Sequence, residues 1–238
     1  MSGTLYIVPT PVGNLGDMTP RAVETLNNVD LILAEDTRTS QPLLRHFEIT
    51  TPLKSHHKFN EHRDCQKIVD ALEQGQNIAL ISDAGTPGIS DPGFLIARAA
   101  ARAGIKVSAL PGATAFVPAL VSSGLPCDRF FFAGFLPVKK GRKTLIEQIS
   151  TAPVTTVIYE SPLRLTRTLK EFEAVAGAER MGCVAREISK KFGEIITDTL
   201  SSLIRHFEQT APRGEIVFML SPAPEPPKKE HKNKYAKD

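Results

Sequence analysis

The first half of the chain repeats one pattern: a short apolar run, a loop rich in Gly and Pro, and an amphipathic segment. The clearest example begins at Ile78–Ile81, an uninterrupted apolar run, and continues through small residues into Phe94–Ala100, which has the composition of a helix. Uninterrupted apolar runs of this length are typical of strands buried on both faces of a parallel sheet. Asp91, followed by Pro92, is placed to cap the helix.

The same strand–loop–helix unit recurs along this half. Predicted strands lie at Thr4–Val8, Asp30–Ala34 and Ile105–Leu110, and predicted helices lie at Arg21–Asn28, Gln41–Phe47, Arg63–Gln74 and Ala115–Ser122. Alternating strands and helices joined by right-handed crossovers predict a parallel sheet. Asp36, at the end of the second strand, has two possible roles: its side chain faces a ligand, or it caps the next helix.

Beyond Gly124 the pattern changes, because some apolar runs follow one another without a helix between them. Predicted strands lie at Arg129–Phe135, Thr155–Tyr159, Cys183–Glu187, Gly193–Thr197 and Glu215–Leu220, and predicted helices at 142–149, Leu163–Val175 and Leu200–Gln209. Such an order predicts a mixed sheet. We therefore predict an α/β protein with an N-terminal α/β domain at 1–118, a C-terminal mixed-sheet α/β domain at 119–221 and a disordered basic tail at 222–238.

The composition fits a globular protein outside the membrane. Of the 238 residues, 41% are apolar and 23% are charged, which is ordinary for a folded soluble domain. The longest apolar stretch, Phe130–Val138, is too short to cross a bilayer. Met1–Gly16 lacks the basic start of a secretory signal, so we expect a cytoplasmic protein.

Cysteine and histidine usage gives no sign of a disulfide framework or a metal centre. The three cysteines are far apart and form no C-x-x-C pair, and His56, His57 and His62 do not match a known ligand spacing. The net charge is +3. The tail contributes most of it, with five lysines against three acidic residues after position 221, and has two interpretations: a solubilising segment, or an arm that contacts RNA phosphate.

The charge of the central loop restricts its ligand. The loop has no basic residue, and Asp83 and Asp91 stand at its two ends. Carboxylates at these positions repel phosphate, but they accept hydrogen bonds from ribose hydroxyls and favour a cationic ligand. The alternative is structural: both carboxylates cap turns, and the glycines form a tight corner.

Five stretches together resemble those of a known family. In chain order they are Tyr6–Leu15 (YIVPTPVGNL), Ala34–Arg38 (AEDTR), Ser82–Pro87 (SDAGTP), Leu110–Gly112 (LPG) and Tyr159–Ser161 (YES). The combination resembles the tetrapyrrole methylase superfamily of S-adenosylmethionine-dependent methyltransferases. Within it, the chain is similar to the bacterial enzymes that methylate the 2′-oxygen of a cytidine ribose in small-subunit ribosomal RNA.

The resemblance implies a tetrapyrrole methylase-like fold of two α/β domains, with the methyl donor S-adenosylmethionine in the cleft between them. It also implies small-subunit ribosomal RNA as substrate, a homodimer, and no metal or membrane partner. The donor-binding positions carried over are Pro9, Asp83, Gly85, Ile89 and Thr114 in the first domain and Tyr159, Ala185, Pro212, Arg213 and Gly214 in the second.

The implied reaction benefits from a general base, because a protonated ribose hydroxyl is a poor nucleophile. Candidates at strand ends and loops are Glu35, Asp36, Glu160, Glu187 and Lys190. Candidate RNA contacts are Arg38, Lys139, Lys140, Arg142 and Lys143. Two other functions stay open: a methyltransferase acting on a small tetrapyrrole-like molecule, and a non-catalytic RNA-binding protein.

Overall fold

The computed structural model describes residues 1–56 and 61–225, with side chains left out at 61–63. The chain divides into two compact units. The first comprises Met1–Ala119 together with Arg186–Glu194, and the second comprises Leu120–Ala185 and the chain from Ile195 onward. The return of Arg186–Glu194 to the first unit was not predicted. The predicted basic tail lies outside the described residues from 226 on.

The first unit contains a five-stranded sheet in the order β3-β2-β4-β1-β5. Its strands are β1 (Thr4–Ile7), β2 (Leu31–Ala34), β3 (Leu53–Ser55), β4 (Ile78–Ile81) and β5 (Lys106–Ala109). Every pairing in it is parallel, which confirms the predicted parallel sheet. Strand β3 was not predicted, because three residues are too few to show a period.

Five helices connect these strands and lead out of the sheet: α1 (Pro20–Asn28), α2 (Thr37–His46), α3 (Glu61–Glu73), α4 (Phe94–Arg102) and α5 (Phe116–Ser122). The predicted start of α1 is confirmed, since the Thr19 hydroxyl accepts a hydrogen bond from the Ala22 N–H at 3.1 Å. The predicted Asp91 cap is wrong. Gly93 occupies the cap position of α4 at φ 136°, and a Cβ there would lie 2.8 Å from Leu80 Cδ2.

The uninterrupted apolar runs of the first unit supply two core clusters. Ile32 and Ile81 belong to the cluster that includes helix α1, whereas their neighbours Leu33 and Leu80 belong to the cluster that includes α3 and α4. Adjacent strand residues point to opposite faces of a sheet. A strand covered on both faces therefore needs apolar side chains at every position, as β4 has.

The second unit contains a five-stranded sheet in the order β6-β7-β10-β8-β9. Its elements are β6 (Phe130–Phe135), α6 (Arg142–Ser150), β7 (Thr155–Glu160), α7 (Leu165–Ala176), β8 (Met181–Arg186), β9 (Glu194–Thr199), α8 (Leu200–Gln209) and β10 (Ile216–Leu220). Strand β6 runs parallel to β7 and β10 runs antiparallel to it, so the predicted mixed sheet is confirmed. One core cluster joins its sheet to α6, α7 and α8.

Across the described residues, we find no helix with the length and apolar character needed to span a membrane.

Candidate functional site

The loops after β1, β2, β4 and β5 meet at one edge of the first sheet, because the carboxyl ends of parallel strands lie together. The first and third of these loops form an isolated antiparallel bridge between Thr10 and Gly85, with backbone N···O distances of 2.9 Å in both directions. The Thr10 hydroxyl donates to the Ser82 carbonyl at 2.9 Å. The two loops are therefore held in one fixed arrangement.

The loop after β5 joins the same arrangement. The Thr86 hydroxyl lies 3.0 Å from the Ala113 carbonyl oxygen, to which it donates, and 2.6 Å from the Thr114 hydroxyl. A Cβ on Gly112 would lie 2.7 Å from Pro9 Cβ, so only glycine allows this approach. Of the predicted donor-binding residues, the structure thus brings Pro9, Gly85 and Thr114 into three interlocked loops, and Ile89 lies in the middle one, partly exposed.

Carboxylates crowd the same edge of the sheet. The Asp36 N–H donates to Asp83 Oδ1 at 3.2 Å, which links the loop after β2 to the loop after β4. Partial burial raises the pKa of Asp83, although the Asp36 N–H opposes the shift. Burial, together with the charges of Glu35 and Asp83, raises the pKa of Asp91 to about 7. The Asp91 carboxyl is not engaged as a helix cap and belongs to this acidic group instead.

Asp36 itself has a structural role. It caps helix α2 by accepting a hydrogen bond from the Arg38 N–H at 2.9 Å, and its two oxygens pair with the Arg38 guanidinium. The side-chain bond from Arg38 is the main reason that the pKa of Asp36 falls to about 2. A carboxylate with so low a pKa is a weak proton acceptor near neutral pH, so Asp36 is unsuited to the role of general base.

The segment Arg186–Glu194 lies against the loop after β1 within the first unit. The Ser189 hydroxyl donates to Asp17 Oδ2 at 2.6 Å, and Lys190 Nζ donates to Glu187 Oε1 at 2.9 Å. Gly13, at φ +125°, has no room for a Cβ because the Lys190 stem occupies the space. The predicted bases Glu187 and Lys190 are therefore a contacting pair beside a predicted ligand loop.

Two predicted residues of the second unit turn out to be structural. The Glu160 side chain is 0% exposed and accepts hydrogen bonds from Arg164 Nε at 2.8 Å and the Thr168 hydroxyl at 2.7 Å. The Arg142 side chain is 6% exposed, lies 3.8 Å from Glu160, and pairs with Glu171 at 2.7 Å. A side chain buried in this network reaches neither a ribose hydroxyl nor an RNA phosphate. Glu160 is therefore unsuited to be the base, and Arg142 is unsuited to contact RNA.

A model of the family described as Tetrapyrrole (Corrin/Porphyrin) Methylases matches residues 4–204 of this chain. The chain belongs to the tetrapyrrole methylase family. Similar curated proteins include Ribosomal RNA small subunit methyltransferase I of Synechocystis sp., 50% identical over 222 residues, which cover 93% of this chain and 80% of the relative. The protein of the same name from Haemophilus influenzae is 47% identical over 227 residues, with coverage of 94% and 80%.

The fold of this tetrapyrrole methylase also recurs in solved structures. The uroporphyrin-III C-methyltransferase of Thermus thermophilus, in complex with S-adenosylhomocysteine, has a TM-score of 0.64 and 18% identity, with 92% of this chain and 97% of that chain covered. At that identity the likeness establishes the shared fold alone, namely two α/β units of the tetrapyrrole methylase type.

The remaining donor-binding candidates of this methylase lie in the second unit. Tyr159 is half-buried near the end of β7, with its ring edge-on to Phe132 at 5.1 Å between centroids. The pairing of Ile216 with Glu160 places the loop with Pro212, Arg213 and Gly214 at the same edge of the second sheet as Tyr159. Ala185 is buried in β8, which leaves only its backbone for a ligand.

The lysine candidates for RNA contact are solvent-exposed. Lys139 and Lys140 lie in the loop before α6, and Lys143 is 91% exposed on its first turn.

No group of three or more His, Cys, Asp or Glu side chains that could hold a metal ion occurs in the described part of the methylase. The side chains of His57 and His62 lie outside that part.

Removing the Asp91 carboxylate is expected to stabilise the free protein increasingly as the pH rises. Because the folded pKa of about 7 lies above the unfolded value, the folded state holds the proton more tightly, and wild-type stability falls between about pH 4 and pH 7. In Asp91→Asn this loss disappears, so the advantage of the variant grows up to about pH 7 and then levels off. Urea unfolding at pH 5, 6, 7 and 8 measures it; a difference that is constant with pH contradicts the burial of this carboxyl.

Proposed function

We propose that the protein is an S-adenosylmethionine-dependent methyltransferase that acts on small-subunit ribosomal RNA, at the 2′-oxygen of a cytidine ribose. The observation that carries the proposal is the identity of 50% over 93% of this chain to a protein named Ribosomal RNA small subunit methyltransferase I. The choice of cytidine and of the ribose oxygen rests on the sequence resemblance of the five loop motifs.

The proposal is tested with small ribosomal subunits from a strain that lacks this protein and a donor carrying a tritiated methyl group. We expect label in the RNA, and digestion to nucleosides should yield labelled 2′-O-methylcytidine. Label on a base atom would overturn the ribose assignment while leaving the RNA methyltransferase in place. Label in a tetrapyrrole but none in RNA would favour the small-molecule alternative.

The first unit has the chemistry that a methyl donor of this kind needs. When bound, S-adenosylmethionine supplies a methyl group made electrophilic by a positively charged sulfur. The carboxylates of Glu35 and Asp83, together with Asp91, which is ionised in part near neutral pH, give this edge of the sheet a negative field. The loop 82–93 contains no basic residue. We propose donor-binding roles for Pro9, Gly85 and Thr114 in the first unit and for Tyr159 and the loop 212–214 in the second.

Asp83 is the carboxylate that we assign to the donor's ribose hydroxyls, because it is exposed at the end of β4. We expect Asp83→Asn to weaken donor binding about 10- to 100-fold, as hydrogen bonds to a charged group contribute about 1.5–3 kcal/mol. Asp36→Asn is the matched control, since its carboxylate is already paired with Arg38. Calorimetry with S-adenosylhomocysteine measures both, and equal affinities for wild type and Asp83→Asn would contradict the assignment.

The base for the ribose hydroxyl is proposed to come from Glu35, Glu187 and Lys190. Glu187 and Lys190 have the stronger support, because the segment that carries them lies against the loop after β1, where the Lys190 stem packs on Gly13. Positioning of the two reactants supplies much of the acceleration in such a transfer. The base adds to it by taking the hydroxyl proton as the oxygen–methyl bond forms and the sulfur–methyl bond breaks, with S-adenosylhomocysteine as the leaving group.

The residues proposed to contact RNA are Arg38 in the first unit and Lys139, Lys140 and Lys143 in the second, all of which are exposed. A homodimer is also proposed. Edge strand β6 supports it, since Phe131 and Phe135 are exposed there and an uncovered apolar strand edge favours association. Light scattering of the purified protein measures the mass in solution.

A further inference from the structure

Two aromatic rings of the first unit are exposed to solvent, and neither belongs to a core cluster. Phe94 is 62% exposed and Phe192 is 71% exposed. Each has a cation above it: Arg98 Cζ lies 4.9 Å from the centre of the Phe94 ring, and Lys191 Nζ lies 5.5 Å from the centre of the Phe192 ring. Burying a large aromatic ring is favourable. Two rings exposed to solvent beside the candidate site therefore indicate a ligand that covers them in the bound state.

Both rings lie on segments that adjoin residues of the candidate site. Phe94 is the first residue of α4 and directly follows the acidic loop after β4. Phe192 lies two residues after Lys190, in the segment that Ser189 joins to Asp17 of the loop after β1. Each ring therefore stands on an element whose other residues form the candidate site, although the two rings are far apart in sequence.

We propose that Phe94 and Phe192 stack on unpaired bases of the ribosomal RNA that flank the target nucleotide. Proteins recognise unpaired RNA bases mainly by stacking them on aromatic rings and guanidinium planes. Such stacking tolerates any base, because every base has a flat face. The cation above each ring provides a second contact, to the base or to the adjacent phosphate.

Charge favours RNA over an apolar partner at these rings. An exposed ring that binds an apolar protein surface would bury its cation as well, and an unpaired buried cation is costly. Next to RNA, the same Arg98 and Lys191 are neutralised by phosphate. Arg98 also borders a groove of about 520 Å³ between α3 and α4, with Arg102 further along it and Glu73 across it. The groove offers the RNA backbone a path with two guanidinium groups.

This inference deepens the proposed function and rests on it, so the test separates the two. The variants are Phe94→Ala and Phe192→Ala, with Phe94→Tyr and Phe192→Tyr keeping a ring and Phe94→Leu keeping apolar bulk without one. Val175→Ala, which truncates an apolar side chain 46% exposed on helix α7, is the control for loss of exposed apolar surface elsewhere. The probe is the unmethylated small ribosomal subunit, and the readouts are its Kd, the Kd of S-adenosylhomocysteine and the mass in solution.

We expect each alanine variant, and Phe94→Leu, to weaken subunit binding about 5- to 100-fold, with unchanged S-adenosylhomocysteine binding and unchanged mass. The tyrosine variants and Val175→Ala should bind like wild type. Alanine variants that bind subunits like wild type overturn the stacking proposal, even if wild type methylates the RNA. A change in mass instead assigns the rings to contact between copies and also overturns it.

If wild type binds subunits without methylating them, the proposed function fails while the alanine variants still decide the stacking proposal. Wild type that does not bind subunits at all overturns both.

Discussion

Replacing Arg142 by Met is expected to lower the free energy of unfolding by about 1.5–3 kcal/mol, the usual contribution of hydrogen bonds to a charged group. The guanidinium donates to Glu171 at 2.7 Å and lies 3.8 Å from Glu160, whose side chain is 0% exposed and keeps Arg164 as its partner at 2.8 Å. The Thr168 hydroxyl donates to Glu160 and accepts from Arg142, both at 2.7 Å. Removing the guanidinium thus breaks a network in which each polar group has a partner.

Lys143 provides a matched control for Arg142. It is the next residue of α6, carries the same charge, is 91% exposed, and stands 3.9 Å from Glu147. Exposed pairs of this kind contribute about 0–1 kcal/mol, so Lys143→Met should unfold at nearly the wild-type urea concentration. In an RNA-binding assay, the order of the two variants should be reversed: Lys143→Met should weaken RNA binding more than Arg142→Met. An Arg142→Met protein within about 1 kcal/mol of wild type would falsify the structural role of the network.

Arg142 also illustrates a distinction that the sequence alone does not reveal. The run Lys139, Lys140, Arg142, Lys143 reads as one basic loop, and the charges alone do not distinguish its members. Only the tertiary structure, which places Glu160 and Glu171 from β7 and α7 beside one of the four, separates the buried arginine from the exposed lysines. Ion pairs between residues distant in sequence leave no periodic pattern.

The fold was more predictable than the site. Strand β4 and helix α8 have the predicted limits, because a run of four apolar residues and a strongly amphipathic decapeptide are each unambiguous. The prediction that Asp91 caps α4 was wrong, because Gly93 takes the cap position with a positive φ and fits against Leu80. Capping preferences consider residue types alone and do not include this steric fit. The return of Arg186–Glu194 to the first unit likewise depends on tertiary contacts, whereas strand β3 was missed because its three residues show no period.

The loop Arg186–Glu194 is the part of the candidate site that sequence reasoning could have found only in fragments. Glu187 and Lys190 were singled out, but not their mutual contact. In the same loop, Glu187 and Ser189 have φ values of 53° and 64°, which non-glycine residues rarely adopt. Backbone strain of this kind costs about 1–3 kcal/mol and concentrates at functional sites. The strain is independent support for a functional role of this loop.

Replacing Lys190 by Met is expected to lower the rate at saturating donor and subunit about 10²- to 10⁴-fold, the usual loss when a general base is removed. Methionine keeps the apolar stem that packs on Gly13 and removes only the amine that contacts Glu187 at 2.9 Å. Stability and S-adenosylhomocysteine binding should therefore stay close to wild type. Single-turnover methylation of small subunits measures the effect.

Lys190→Arg separates the two chemical roles that an amine can have. Arginine keeps the positive charge but does not give up its proton in proteins, so it cannot act as a base. An inactive Lys190→Arg beside an inactive Lys190→Met means that Lys190 accepts the proton, with Glu187 as its positioning partner. An active Lys190→Arg means that the charge stabilises the developing oxyanion, and the base is then Glu187 or Glu35. A Lys190→Met protein with the wild-type rate removes the pair from the reaction, because the contact at Gly13 would then be structural alone.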